Sequence, residues 1–210
     1  MLTVDLGAGR ERLAVLAIGA HADDIELGCG GTLLRLAHDV QELELTWVVL
    51  SADGARREEA EAGARAFGAT RLEIRDFEDA FFKYGREVKD YFEKLKAVEP
   101  DLILTHADND RHQDHRLVAE LTWNTFRDHL ILEYEIPKYD GDLGAPNVFV
   151  HLEEAIARRK VEALLECFGS QRSKEWFTED LFLALLRLRG MESRAPSGLA
   201  EGFYGRKLAV

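Results

Sequence analysis

Long apolar runs, a disulfide framework and linker-like composition are all missing from this 210-residue sequence, and each absence narrows what the chain can be. No apolar stretch reaches the roughly 18 residues of a membrane-spanning helix, so no span is expected. Cysteine is limited to Cys29 and Cys167. Two are too few for a disulfide framework and suit a reducing cytoplasm better than an exported protein. The first residues, MLTVDLGAGRER, have no basic region followed by an apolar core, so no secretory signal is expected there. Positive charge is also scarce: 27 Lys and Arg stand against 39 Asp and Glu, for a formal net charge of -12. A field of that sign repels nucleic acids and anionic membranes unless a local basic patch overcomes it. The cluster Arg158, Arg159, Lys160 falls within a helical pattern and reads as a solvated face.

What is present is an ordinary globular balance, 46% hydrophobic and 31% charged. No repeat or Pro/Gly-rich linker divides it, which predicts a single domain over residues 1–210. The run LAVLAIGA (13–20) is short and apolar and predicts a buried strand, as do LELTWVVL (43–50) and DLILTH (101–106). A weaker strand is expected at 71–77, a further strand at 131–136 and a last one in GFYGRKLAV. Helical spacing follows Gly31 through Leu33, Leu34, Leu36 and Ala37. It recurs in an Ala-rich stretch at 57–69 ending near Gly68, and at 86–98 with Val88, Tyr91, Phe92 and Leu95 on one face, stopped by Pro100. Further helices are expected at 115–129, 152–168 and 178–189. Strand–helix alternation of this kind predicts an α/β, Rossmann-like fold, a mainly parallel sheet with helices on both faces. Sites in such sheets gather at the carboxyl ends of the strands.

Two polar clusters sit where that rule places chemistry. AIGAHADDIELGCGGTL (17–33) runs from an apolar strand into His21, Asp23, Asp24 and Glu26; THADNDRHQDHR (105–116) runs from another into His106, Asp108, Asp110, His112, Asp114 and His115. Imidazole and carboxylate are zinc ligands, and a catalytic zinc needs three of them with one position left open. His21 and Asp24, three apart, can converge on one point. Of His112 and His115, also three apart, one can bind metal while the other reaches substrate. Adjacent aspartates are commonly turn residues, but so many acids crowded without a cation would raise one another's pKa and destabilise the fold. A set of two histidines and a carboxylate also serves non-haem iron oxygenases. The extra acid Asp23 beside the set favours hydrolysis, which needs a base near the attacking water.

Other residues have blander readings. Gly28, Gly30 and Gly31 do not make a dinucleotide fingerprint, because Leu33 stands where its third glycine belongs; they read as close packing around a metal loop, with Cys29 a small buried hydrophobe. Arg56 is a candidate for binding substrate, as are His106 and Asp110, the last also a candidate cap for the helix that follows. Glu26 reads as structural, bonded to loop amides. His38, His129 and His151 read as ordinary, and Trp47, Trp123 and Trp176 as core or interface residues. The Gly/Pro-rich segment 137–150 is a candidate pocket loop.

At these residues the sequence resembles the PIG-L/LmbE-like family of zinc-dependent de-N-acetylases. The family motif A-H-P-D-D-x-E-x-G-x-G-G-T stands here as A-H-A-D-D-I-E-L-G-C-G-G-T from Ala20 to Thr32, with Ala22 in place of proline, and the second motif, H-x-D-H, as H-Q-D-H from His112 to His115. Ser51 to Gly68 and the closing SGLAEGFYGRKL are similar too. The resemblance implies one zinc ion per chain, held by His21, Asp24 and His115. It implies Asp23 as general base, and His112 as acid or electrostatic stabiliser with Asp114 orienting it. The implied substrate is a small N-acetylated sugar or conjugate, and family members often form homo-oligomers. The iron oxygenase, and a non-catalytic Rossmann-like module that would bind nucleotide, stand as alternatives.

Overall fold

The computed structural model describes residues 5–7, 10–80 and 83–209. The leader reading at the start concerns a segment of which residues 1–4, 8 and 9 lie outside this set, as does residue 210 at the end.

In chain order the elements are β1 (Arg12–Gly19), α1 (Asp24–Asp39), β2 (Glu42–Val49), α2 (Gly54–Ala66), β3 (Arg71–Ile74), α3 (Arg86–Leu95), β4 (Leu102–His106), α4 (Gln113–Thr125), β5 (Leu130–Tyr134), β6 (Val148–His151), α5 (Glu154–Cys167), α6 (Glu179–Ser193) and β7 (Ala200–Gly205). The strands form one sheet in the order β3-β2-β1-β4-β5-β7-β6. β1 to β5 are parallel, whereas β7 runs antiparallel to both β5 and β6. Alternation along β1 sends Leu13, Val15 and Ala17 to a core closed by α1, α2, α5 and α6, and Leu16 and Ile18 to a second core closed by α3 and α4. Helices therefore cover both faces, as the strand–helix alternation predicts. The order reverses at β1, which pairs with β2 on one side and β4 on the other. The crevice beyond the carboxyl ends of β1 and β4 is where such a sheet offers a binding site.

Three expectations are corrected. The glycines of the first motif do not lie in a loop, because α1 begins at Asp24 and contains all of them. A Cβ at Gly28 would sit 2.2 Å from the Tyr134 ring, and one at Gly31 would sit 2.5 Å from Leu152. Their lack of side chains lets α1 press against the Tyr134 ring at the end of β5 and against Leu152, the residue just after β6. The segment 137–150 is not all loop: its end enters β6, a four-residue edge strand held by β7. Lys160 is not on a solvated face. It is buried, and its ammonium donates to Glu201 at 2.6 Å and to the carbonyl of Leu27 at 2.7 Å. Glu201 also accepts from the amides of Gly31 (2.8 Å) and Thr32 (2.6 Å) and from the Thr32 hydroxyl (2.6 Å). This fully bonded pair clasps the middle of α1 to β7 and α5. Among the described residues, no helix is long and apolar enough to cross a membrane.

Candidate active site

β1 delivers the chain to a turn in which the His21 amide donates to Asp24 Oδ2 at 2.6 Å, closing His21 onto the first residue of α1. β4 and the short loop after it bring α4 in from the other side, with His115 in its first turn. Three donors then meet. His21 Nδ1 lies 3.2 Å from His115 Nε2 and 3.3 Å from Asp24 Oδ2, and His115 Nε2 lies 3.4 Å from Asp24 Oδ1. A tetrahedral ion with bonds of about 2.0–2.1 Å separates its ligand atoms by about 3.3–3.4 Å. In this triangle of residues the edge between the two rings is near that spacing, and each ring comes equally near a different oxygen of Asp24, so two imidazoles and a carboxylate stand where they could hold a zinc-sized ion. His21 and His115 also form a candidate metal group with His112, and Asp24 and His115 one with His106.

The charges around the triangle are mutually supporting. Burial works against the charged form of every group in it. For Asp24 the imidazoles of His115, His106 and His21 outweigh burial and hold the carboxyl well below its usual range. For His115 the carboxylates of Asp24 and Asp110 outweigh it and raise the ring to about 9. His21 is likewise raised, by Asp24, Asp114 and Asp79.

A second ring of residues fixes the donors. His115 Nδ1 faces Asp110 Oδ2 at 2.9 Å, and Asp110 is itself held by Lys138 at 2.9 Å and accepts from the His112 amide at 2.8 Å. His106 is wholly buried and lies flat on His115, ring centroids 3.9 Å apart, with its Nε2 3.0 Å from the Ala20 amide. Burial and the neighbouring His115 push its pKa down to about 4, so the ring is neutral. His106 and Asp110 thus stand behind the triangle rather than in the cleft, which corrects their reading as substrate ligands.

Asp23 is buried and accepts from Arg56 Nη2 at 2.7 Å. Burial raises its pKa and Arg56 opposes the rise. Arg56 does line the cleft, but both of its terminal nitrogens are engaged by carboxylates, Asp23 and Glu59. His112 caps α4, its Nδ1 accepting from the Asp114 amide at 3.3 Å, which leaves its proton on Nε2. Burial and the rings of His115 and His21 lower its pKa, keeping it neutral. The Asp114 carboxylate does not orient His112 as expected. It faces His21 Nε2 at 3.1 Å and accepts from the Ala80 amide at 2.8 Å, so it acts on a candidate metal ligand.

The cleft in front of these groups has a volume of about 900 Å3. Its walls also carry Asp53, Asp76, Tyr139, Lys174 and Trp176, and Trp176 packs against the core from the cleft side. Asp79 was missed by the sequence reading: its carboxylate lies 3.0 Å from His21 Nε2. Its position beyond β3, on the same sheet edge as the two clusters, was the available signal. Glu26 has no loop amides to bond. It is wholly buried in α1, no other described residue hydrogen-bonds its carboxyl oxygens, and burial raises its pKa well above the usual carboxyl range.

Residues 16–126 match the family model described as PIG-L, GlcNAc-PI de-N-acetylase. The chain is 32% identical over 174 residues to the Escherichia coli protein described as the uncharacterized deacetylase YaiS, covering 76% of this chain and 92% of that one. Among solved structures it resembles the 4-carboxy-2-hydroxymuconate hydratase GalB of Pseudomonas putida, with a TM-score of 0.79 and 19% identity over 95% of this chain and 98% of that one. It also resembles the N,N'-diacetylchitobiose deacetylase of Pyrococcus horikoshii, with a TM-score of 0.70 and 20% identity over 94% and 84%. These two likenesses establish a shared fold, and one fold carrying both a hydratase and a deacetylase leaves the reaction to be argued from the site.

Proposed function

The chain belongs to the PIG-L family, a deacetylase family, and we propose that it is a zinc-dependent hydrolase that removes an acetyl group from the nitrogen of an amino sugar or sugar conjugate. The observation that carries this reading is the meeting of His21, Asp24 and His115, whose ring nitrogens lie 3.2 Å from each other and 3.3–3.4 Å from the carboxylate of Asp24, with the buried carboxylate of Asp23 next in the chain. His21, Asp24 and His115 would hold one zinc ion, which when bound polarises the amide carbonyl and lowers the pKa of the attacking water.

The remaining steps belong to the side chains. Asp23 takes a proton from the water as its oxygen attacks the carbonyl carbon. Its burial favours the protonated form that results, and Arg56 keeps the starting carboxylate charged. Neutral His112 offers its Nε2 proton as a hydrogen bond to the developing oxyanion. Asp23 then returns its proton to the leaving nitrogen as the C–N bond breaks, giving acetate and a free amine. Asp114 and Asp110 hold the rings of His21 and His115 from behind. The sugar part of the proposal draws on the family description and on the chitobiose deacetylase of the same fold. Trp176 and Tyr139, with the carboxylates of Asp53 and Asp76, give the cleft aromatic faces and acceptors suited to a polyhydroxylated ring.

The test is release of free amine from a panel of N-acetylated amino sugars, with and without a chelator. Chelator-sensitive release supports the proposal. Metal-loaded protein that cleaves no amide would overturn it, and iron-dependent oxygen uptake would put the oxygenase in its place.

A further inference from the structure

Arg56 connects Asp23 to two residues that do not line the cleft, Glu59 and Ser170. Its Nη2 donates to Asp23 Oδ1 at 2.7 Å, and its Nη1 donates to Glu59 Oε2 at 2.8 Å and approaches the Ser170 hydroxyl at 3.4 Å. Glu59 in turn accepts from both the amide and the hydroxyl of Ser170, each at 2.7 Å. The guanidinium carbon also sits 5.8 Å from the ring centre of buried Phe168. Arg56 is thus gripped at both nitrogens by fixed carboxylates and packed against an aromatic ring. Such a grip matches the planar fork of an arginine and would be lost with a point-charge lysine.

We infer that Glu59 and Arg56 form a strut, anchored on Ser170, that positions the Asp23 carboxylate for proton transfer, and that Arg56 is a positioning residue rather than a ligand for substrate. The inference rests on the reading of Asp23 as the base. Three features carry it. The Asp23 side chain is 8% exposed and the Arg56 side chain 26%, so their bond is largely shielded from solvent. Glu59, with a side chain 13% exposed, does not line the cleft, yet it supplies the carboxylate that fixes the other half of the guanidinium. Ser170 precedes Gln171, Lys174 and Trp176, which form one wall of the cleft, so the same anchor sets the base and that wall in one frame.

The test uses Glu59→Gln, a variant away from the cleft that keeps the side chain's shape. A strut predicts a fall in kcat of about tenfold with KM within about twofold of the parent, because misplacement of a reacting group lowers turnover rather than ground-state binding. Unchanged kcat in Glu59→Gln, together with a raised KM and unchanged kcat in Arg56→Lys, would overturn the inference and make Arg56 a substrate ligand. A second measurement needs no turnover. In a thermal double-mutant cycle the strut predicts that Glu59→Gln lowers Tm less in the Asp23→Asn background than in the parent. Additive shifts would show that the two carboxylates are not coupled. If the parent protein cleaves no amide, the proposed function fails while the cycle still decides whether the strut exists.

Discussion

His21 Nε2 faces the Asp114 carboxylate at 3.1 Å, and the same ring turns its Nδ1 toward His115 Nε2 at 3.2 Å. One imidazole therefore has one nitrogen held from behind and the other aimed into the donor triangle. Carboxylates in this position fix the tautomer and raise the basicity of a metal-binding histidine. Asp114→Asn is expected to weaken zinc binding about 10–100-fold, as such partners commonly do. Competition against a chromophoric chelator measures it, and an affinity equal to the parent's would show that the contact does not tune the ligand. Asp79, 3.0 Å from the same nitrogen but with a side chain 70% exposed, should matter less.

Asp23 and His115 should separate chemistry from metal binding. Asp23→Asn keeps the three donors and is expected to keep one zinc per chain while losing turnover by about 10²–10⁴, the worth of a general base. His115→Ala removes one corner of the triangle and is expected to lose the metal. Metal analysis of the two purified variants checks both; a His115→Ala protein that retains one zinc per chain would show that the ligands lie elsewhere.

Glu26 gives a stability prediction with a definite sign. Its folded pKa is raised well above the ordinary carboxyl value by burial, so the folded chain holds a proton that the unfolded chain has already lost. Stability then falls as pH rises above the unfolded value of about 4.3 and continues to fall up to the folded pKa. Glu26→Gln cannot ionise and should flatten that slope in urea melts from about pH 5 to about pH 8, in metal-free and metal-loaded protein alike. Parallel slopes for parent and variant would mean that Glu26 is not held protonated.

Lys160→Met should be costly although it exchanges a charge for an apolar side chain. It strips a buried carboxylate of its counter-ion and leaves the Leu27 carbonyl without this donor. Breaking a buried pair from one side costs about 3–5 kcal/mol. Denaturant unfolding at neutral pH measures the loss, and a loss below about 1 kcal/mol would place the pair in the range of exposed surface bridges.

The meeting of the two His/Asp clusters was legible because two apolar strands each run directly into one, and parallel strands must present their carboxyl ends on one edge. Which groups stand behind the donors was not legible. His106 and Asp110 carry the same chemistry as the candidate ligands, and only packing decides that they lie against His115 rather than lining the cleft. The start of α1 was obscured because Gly28, Gly30 and Gly31 are poor helix formers, and it is Tyr134, Phe67 and Leu152, distant in the chain, that need them small. β6 escaped notice as four residues on a sheet edge, held there by β7. Lys160 looked solvated because its partner Glu201 lies 41 residues further on.

The clasp on α1 also bears on the order in which the molecule is built. Glu201 and Gly31 are 170 residues apart in the chain. A nascent polypeptide therefore exposes the helix that begins with Asp24 long before its anchor leaves the ribosome. Contacts of that separation form late, because a large loop must close before they return any stabilisation. The rigid geometry that suits a metal is thus an end product of synthesis, and early chains would present only loosely held ligands to any passing ion.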